Sequence, residues 1–321
     1  MESKIVPKYI NGYETFEFLG KGTFANVFNC KKNENIYALK RINSKESFIR
    51  YAKREIKFLS GIENPNIVKM VDNFMEDKIQ YLVFEKLNDN MYNYFLKNKN
   101  IINFDMFSKY SYQIADGLSY LHSKNIIHCD LKLENIMLTE NIEKLKIIDL
   151  GSSMNDNYVI KDEQFYIQSR YYRAPEILYR INFNPKIDVW SLGVIMTELI
   201  FKKCVFNGKD TIGMIYKLCE YLNIPDLMIY KNTKFYTNLF TEQEDKMYYS
   251  DESTNYNLKG FRENRLQDYL NYYLKKNFED IYDYQIENII VLIIKILDYN
   301  YITRLSAEEC KMELVLLESQ L

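Results

Sequence analysis

The sequence predicts an α+β chain in two parts: a small antiparallel sheet carrying one main helix, then a larger, mainly helical part. Three observations lead there. From Phe16 to Glu85 apolar residues alternate over short runs, as in YETFEFLGKGTFANVF, NIYALKRI and IQYLVFE, with one helical interruption at SFIRYAKREIKFLSGI. After Asn90 the apolar period lengthens to that of helices in FDMFSKYSYQIADGLSYLHSKN, PKIDVWSLGVIMTELIF, TIGMIYKLCEYLN and YQIENIIVLIIKILDYN. The change falls at KLNDN, residues 86–90, so we expect a strand-rich part over 1–87 and a helical part over 88–321.

Composition sets the outer limits. At 321 residues the chain can bury a sizeable core in one large or two moderate domains. Charged residues make up 27% and hydrophobic ones 47%, and 42 basic against 44 acidic side chains leave a net charge of −2. Nothing in that balance points to nucleic acid or a membrane surface. Cys30, Cys129, Cys204, Cys219 and Cys310 are odd in number, scattered and without CxxC spacing, which argues against a disulfide framework or a zinc site. The start, MESKIVPKYINGYE, has no apolar signal core, and runs such as VWSLGVIM are too short to span a bilayer. We expect an intracellular monomer, cytoplasmic or nuclear. The 29 tyrosines we assign to compositional bias rather than chemistry.

Taking the elements in order, LGKGTFANVF contains Gly20 and Gly22, with Ala25 where a third glycine might stand. A glycine-containing hairpin turn would explain this as well as a phosphate loop. A dinucleotide fingerprint should lead into a helix, but NVFNCKKNENIYALK continues as strand, turn and strand. That favours a glycine hairpin folded over phosphates, where missing side chains let backbone N–H groups approach an anion. Lys40 closes the second strand, and Glu55 follows fifteen residues later in the helical AKREIKFL. Alone, each is an ordinary surface residue; jointly they could form the ion pair that aims an amine at phosphate oxygens. Residues 230–285 show weak periodicity and many charges, and we expect an insertion with some helix and a poorly ordered stretch around 242–257.

The densest chemistry lies in IIHCDLKLENIML, residues 126–138, where His128, Cys129, Asp130, Lys132, Glu134 and Asn135 crowd between two apolar runs. Buried polar groups without partners are costly, so such crowding suggests a site. The stretch resembles the catalytic loop of eukaryotic protein kinases, H-R-D-L-x-x-x-N. IIDLGSS at 147–153, RAPEIL at 173–178, DVWSLG at 188–193 and a late Arg304 follow in the family's order, covering roughly residues 13–315. Cys129 in HCDLK, the hinge-like LVFEKL, GSS after the metal-binding Asp and YIQSRYYRAPEIL resemble the DYRK, HIPK and Yak branch of the CMGC group.

This resemblance implies a bilobal protein kinase fold, with ATP and Mg²⁺ as cofactors, protein substrates, and Ser/Thr transfer of dual specificity. It implies that Asp130 takes the acceptor proton, Lys132 stabilises the moving phosphoryl, and Asn135 and Asp149 hold Mg²⁺. Lys40 with Glu55 would hold phosphates under Gly20 and Gly22, while Leu19, Val27, Ala38, Phe84, Glu85, Leu87 and Met137 would surround the adenine, Phe84 as gatekeeper. Plain core packing is the alternative for the apolar ones. Tyr166 matches the self-phosphorylated tyrosine of the branch, with Arg170 or Arg173 to receive its phosphate; Arg173 also suggests proline after the acceptor. His128, Asp188 and the Glu176–Arg304 pair read as architecture. Ala25, Leu150 in place of Phe and Leu133 in place of Pro depart from the pattern without removing a charged group. The competing reading, a catalytically weak scaffold or pseudokinase, would predict loss of Lys40, Asp130, Asn135 or Asp149, and all four are present.

Overall fold

Three two-residue turns organise the sheet. Asn11–Gly12, Asn33–Glu34 and Asp77–Lys78 all have positive φ, between 45° and 80°, the backbone twist that joins adjacent antiparallel strands without splaying them. They connect β1 (Tyr9–Ile10) to β2 (Tyr13–Lys21), β3 (Ala25–Lys32) to β4 (Asn35–Ile42), and β5 (Met70–Glu76) to β6 (Ile79–Glu85). The antiparallel sheet has the order β1-β2-β3-β4-β6-β5. These details come from a computed structural model that describes residues 9–99, 101–157, 167–225, 227–239, 246–247, 256–257, 265–279 and 281–318.

Strand alternation gives the sheet two faces. One is a packed core of Ile10, Tyr13, Cys30, Leu39, Tyr81 and Val83. Toward the other, α1 (Glu46–Leu59) buries Ala52, Glu55 and Leu59, spaced to share one side of the helix, with Phe58 beside them. Arg50, Lys53, Arg54 and Lys57 occupy its exposed side.

Beyond the sheet come α2 (Phe104–Ser123), β7 (Ile126–Ile127), β8 (Ile136–Leu138), β9 (Leu145–Ile147) and β10 (Met154–Asn155). Asn103 caps α2 by accepting the Met106 N–H at 2.8 Å. The chain divides into two compact units: the first joins Met1–Asn90 with Asn135–Ser153, the second joins Met91–Glu134 with Met154–Leu321. The 135–153 hairpin belongs to the first unit because its backbone is bonded there. Ile147 N donates to Asn66 O at 2.8 Å, Val68 N to Ile147 O at 3.0 Å, and Asn88 N to Leu138 O at 2.8 Å.

The second unit continues with α3 (Pro175–Leu178), α4 (Lys186–Phe201), α5 (Thr211–Leu222), α6 (Met228–Lys231) and α7 (Lys234–Leu239). The short strands β11 (Lys246–Met247) and β12 (Tyr256–Asn257) pair, and α8 (Arg265–Asn277), α9 (Asp283–Ile296) and α10 (Ala307–Glu318) complete it. The helix expected within 230–285 is present; apart from β11 and β12, the stretch expected to be poorly ordered lies outside the described residues. Every residue of α4 from Ile187 to Phe201 is buried, so it forms the core of this unit on all sides. The Arg304 guanidinium forks onto the Glu176 carboxylate at 2.6 and 2.9 Å, both side chains fully buried.

Candidate active site

In the first unit the strand register gathers one set of predicted residues. Gly20 lies opposite Val27, Val27 opposite Lys40, and Ala38 opposite Phe84, which puts all five positions on the sheet face that looks toward α1. Val27, Ala38 and Met137 are apolar yet only half-buried, and Leu19 is exposed, whereas Phe84 and Leu87 are buried. Met137 sits in β8, whose neighbour Leu138 donates to Asp89 O at 3.0 Å, tying that strand to the 85–89 connection. Glu85 pairs with Lys146 at 2.9 Å and accepts the Lys69 N–H at 2.7 Å.

Lys40 Nζ is the centre of the charge. It donates to both oxygens of Glu55, at 3.0 and 2.8 Å, and to Asp149 Oδ1 at 3.4 Å. Burial disfavours the ammonium, but the Asp149 and Glu55 charges outweigh it and hold Lys40 above the ordinary lysine range. On Glu55 burial is the largest influence; with the Asp149 charge it raises the carboxyl to about 7 against the pull of Lys40. Asp149 itself has φ 64°, and Ile148 N donates to Asn135 O at 2.9 Å, which sets the two expected metal ligands beside each other on one hairpin.

Gly20, Gly22 and Gly151 divide into two kinds. A Cβ on Gly20 would meet nothing within 4 Å, and on Gly22 only Ala25 O at 3.6 Å, so the fold itself does not require glycine there. Gly151 differs: a Cβ would lie 1.8 Å from the Tyr51 ring. The same Tyr51 stacks on Phe24 of the glycine turn, centroids 4.3 Å apart, and its hydroxyl bonds Ser152 Oγ at 2.8 Å.

The second unit holds the other set. Asp188, fully buried on α4, accepts N–H bonds from His128 at 2.7 Å and Cys129 at 2.9 Å, and its Oδ2 also lies 2.9 Å from His122 Nε2. His128 Nδ1 in turn accepts the Asp130 N–H at 3.2 Å. Sequence reasoning gave His122 no part in this. Lys132 Nζ bonds Asp130 Oδ2 at 2.8 Å and Ser169 Oγ at 2.9 Å, and Ser169 Oγ donates to Asp130 Oδ1 at 2.6 Å. Ser169 lies within the YIQSRYYRAPE stretch, but a lone serine gives no signal of its own.

Arg173 is buried and spends Nε on Ile167 O and Nη2 on Gln168 O, both at 2.9 Å; Arg170 is exposed and donates to Lys209 O. Tyr166 lies outside the described residues. Below this segment the Tyr172 hydroxyl donates to Glu198 Oε2 at 2.5 Å. Burial raises the Glu198 carboxyl to about 7, with Glu134 adding to it and the Tyr172 bond opposing. Among the described residues there is no group of three or more His, Cys, Asp or Glu suited to hold a metal unaided, and no helix long and apolar enough to cross a membrane.

A glycine turn and a lysine held by a helix glutamate in the first unit, and an aspartate–lysine–serine triangle in the second, point to the phosphotransferase class. The protein kinase domain family matches residues 13–315, and the chain belongs to that family. Its relatives include homeodomain-interacting protein kinase 1 of Caenorhabditis elegans, 33% identical over 73% of this chain and 29% of that protein. The dual specificity protein kinase YAK1 of Saccharomyces cerevisiae is 34% identical over 66% of this chain and 27% of its own length. Dual specificity tyrosine-phosphorylation-regulated kinase 3 of Rattus norvegicus is 33% identical over 69% of this chain and 39% of its own. The chain thus spans less than a third of the length of the first two.

Proposed function

We propose that this chain transfers the γ-phosphoryl group of ATP, with Mg²⁺, to Ser and Thr hydroxyls of protein substrates, and that it phosphorylates its own Tyr166. The single observation that carries the reading is the engaged lysine of the first unit, Lys40 within 3.0 Å of both Glu55 oxygens and 3.4 Å from Asp149. A charged amine fixed in place by a buried carboxylate is preorganised for phosphate oxygens and needs no rearrangement to meet them.

The residues present fit the groups this requires. Gly20 and Gly22 leave open space where side chains would otherwise stand, so backbone N–H groups can approach phosphates. Half-buried Val27, Ala38 and Met137, with Leu19, Phe84, Glu85 and Leu87, supply the apolar walls and backbone edge for an adenine. Asn135 and Asp149 offer hard oxygen donors of the kind Mg²⁺ takes from protein, its other positions going to phosphates and water. When bound, the ion neutralises phosphate charge.

In the second unit, Asp130 would accept the proton of the substrate hydroxyl, oriented by the Ser169 hydroxyl and by Lys132, whose ammonium also steadies the transferring group. Arg173, bonded to the carbonyls of residues 167 and 168, shapes this chain's own segment there, and by resemblance we assign to it a preference for proline after the acceptor. Arg170, exposed, is the cation we assign to phosphate on Tyr166.

Transfer of labelled phosphate from ATP to a generic basic protein, compared between the natural chain and Asp130→Asn, tests the main reading. No incorporation in either would leave a scaffold role instead, and equal incorporation would remove Asp130 from the reaction. Mass spectrometry of bacterially made protein with and without Asp149→Asn tests the second: phosphate on Tyr166 should occur in the natural chain alone.

A further inference from the structure

We propose that Gln168 is a positioning residue for Asp130, acting through Ser169; this rests on the role given to Asp130 above. The observation behind it is a pair of non-glycine residues in the left-handed region, Cys129 at φ 64° and Gln168 at φ 63°. Such a residue is strained and persists only where its surroundings hold it. Here the two are bonded directly, Gln168 N donating to Cys129 O at 3.0 Å.

What holds them is one stretch of α4. Asp188 Oδ1 accepts the Cys129 N–H at 2.9 Å. The Gln168 amide donates both hydrogens to that stretch, to Ile187 O and Ser191 Oγ, each at 2.9 Å. Its Oε1 accepts the Ala174 N–H and its backbone carbonyl accepts Arg173 Nη2, again at 2.9 Å. Gln168 is 7% exposed, and both amide hydrogens have found acceptors. Glycine could adopt this φ with less strain but has no side chain to anchor it, and alanine would carry the strain without the anchor.

The consequence falls on the next residue. A left-handed turn at 168 sets the direction of the Ser169 side chain, and that hydroxyl donates to Asp130 Oδ1 at 2.6 Å while accepting from Lys132. Gln168 therefore fixes the orientation of the Asp130 carboxylate without touching it. Its loss should let Ser169 swing away and break that bond to Asp130 Oδ1.

The test is steady-state kinetics of the full chain with Mg-ATP and histone as acceptor, for Gln168→Ala, Ser169→Ala, the double variant, Ser191→Ala and Asp130→Asn, each checked for a folding transition by thermal melting. Gln168→Ala should lower kcat about 10- to 100-fold, the cost of a misplaced reacting group, and leave the KM for ATP unchanged. The double variant should fall no further than the worse single one, because both changes break the same linkage. Ser191→Ala, which removes one acceptor of the Gln168 amide, should lower kcat less, again at constant KM. A natural kcat in folded Gln168→Ala, or in Ser191→Ala if Gln168→Ala does not fold, overturns the proposal, as do additive losses. Asp130→Asn separates the two levels: if it keeps full kcat, or the natural chain has none, the reading that gives Asp130 its role fails, whereas its inactivity beside an unaffected Gln168→Ala removes only the positioning role.

Discussion

Lys40 with Glu55 in the first unit and Arg304 with Glu176 in the second are both buried cation–carboxylate pairs, yet their surroundings differ. Arg304 meets Glu176 through two parallel bonds with both side chains at 0% exposure, and further guanidinium N–H groups go to the carbonyls of Asp298 and Lys186. Its charges balance and each of its three nitrogens has an acceptor. Lys40 keeps 15% of its side chain exposed and has a second carboxylate, Asp149, within reach, so the cluster carries surplus negative charge facing partly outward. Burial is common to both and separates nothing. The charge count does: the balanced pair holds structure, and the unbalanced one is suited to receive a cation and an anionic ligand together.

The largest effect that would test this contrast is on stability. Arg304→Leu strands the Glu176 carboxylate in a dry core and should cost about 3–5 kcal/mol of unfolding free energy, measured by urea denaturation. Lys40→Met should do the reverse, lowering phosphate transfer about 100- to 1000-fold while shifting the urea midpoint much less than Arg304→Leu does. Comparable destabilisation by both variants would erase the distinction.

A third measurement sharpens it with a buried carboxyl that has no cation beside it among the described residues. Glu198 has its pKa raised from 4.5 to about 7, so its protonated form stabilises the fold. That contribution is complete below the unfolded value and is lost as pH climbs through the folded one, roughly 3 kcal/mol between pH 4.5 and 7. Glu198→Gln should flatten this slope and exceed the natural chain in stability at pH 8. The smallest difference lies between two glycines. Gly151→Ala should lower the melting temperature because its methyl meets Tyr51. Gly20→Ala should leave melting within about 0.5 kcal/mol and raise the KM for ATP.

The sheet was legible because alternation in NIYALKRI and IQYLVFE is local. The Lys40–Glu55 pair could be anticipated only jointly, since either residue alone suits a solvated face. Membership of the kinase family followed from HCDLKLEN, DLG and APE in order. Contacts made across long sequence separations by residues with no distinctive type were not legible. Ser169 reaches Asp130 from 39 positions away, Gln168 bonds Ser191 from 23, and His122 meets Asp188 from 66. Nor can a pattern of neighbouring residues show that 135–153 hydrogen-bonds back to Asn66 and Val68. Periodicity reports which side of an element is buried, and it is silent on what lies against it.

One tyrosine touches three parts of the first unit. Because Tyr51 lies flat on Phe24, presses on Gly151 and shares a hydroxyl bond with Ser152, α1 cannot rotate without dragging the glycine turn and the turn after Asp149 along. Whatever draws that helix inward or lets it drift will therefore open or close the roof and the floor of the face proposed to bind phosphate in a single stroke.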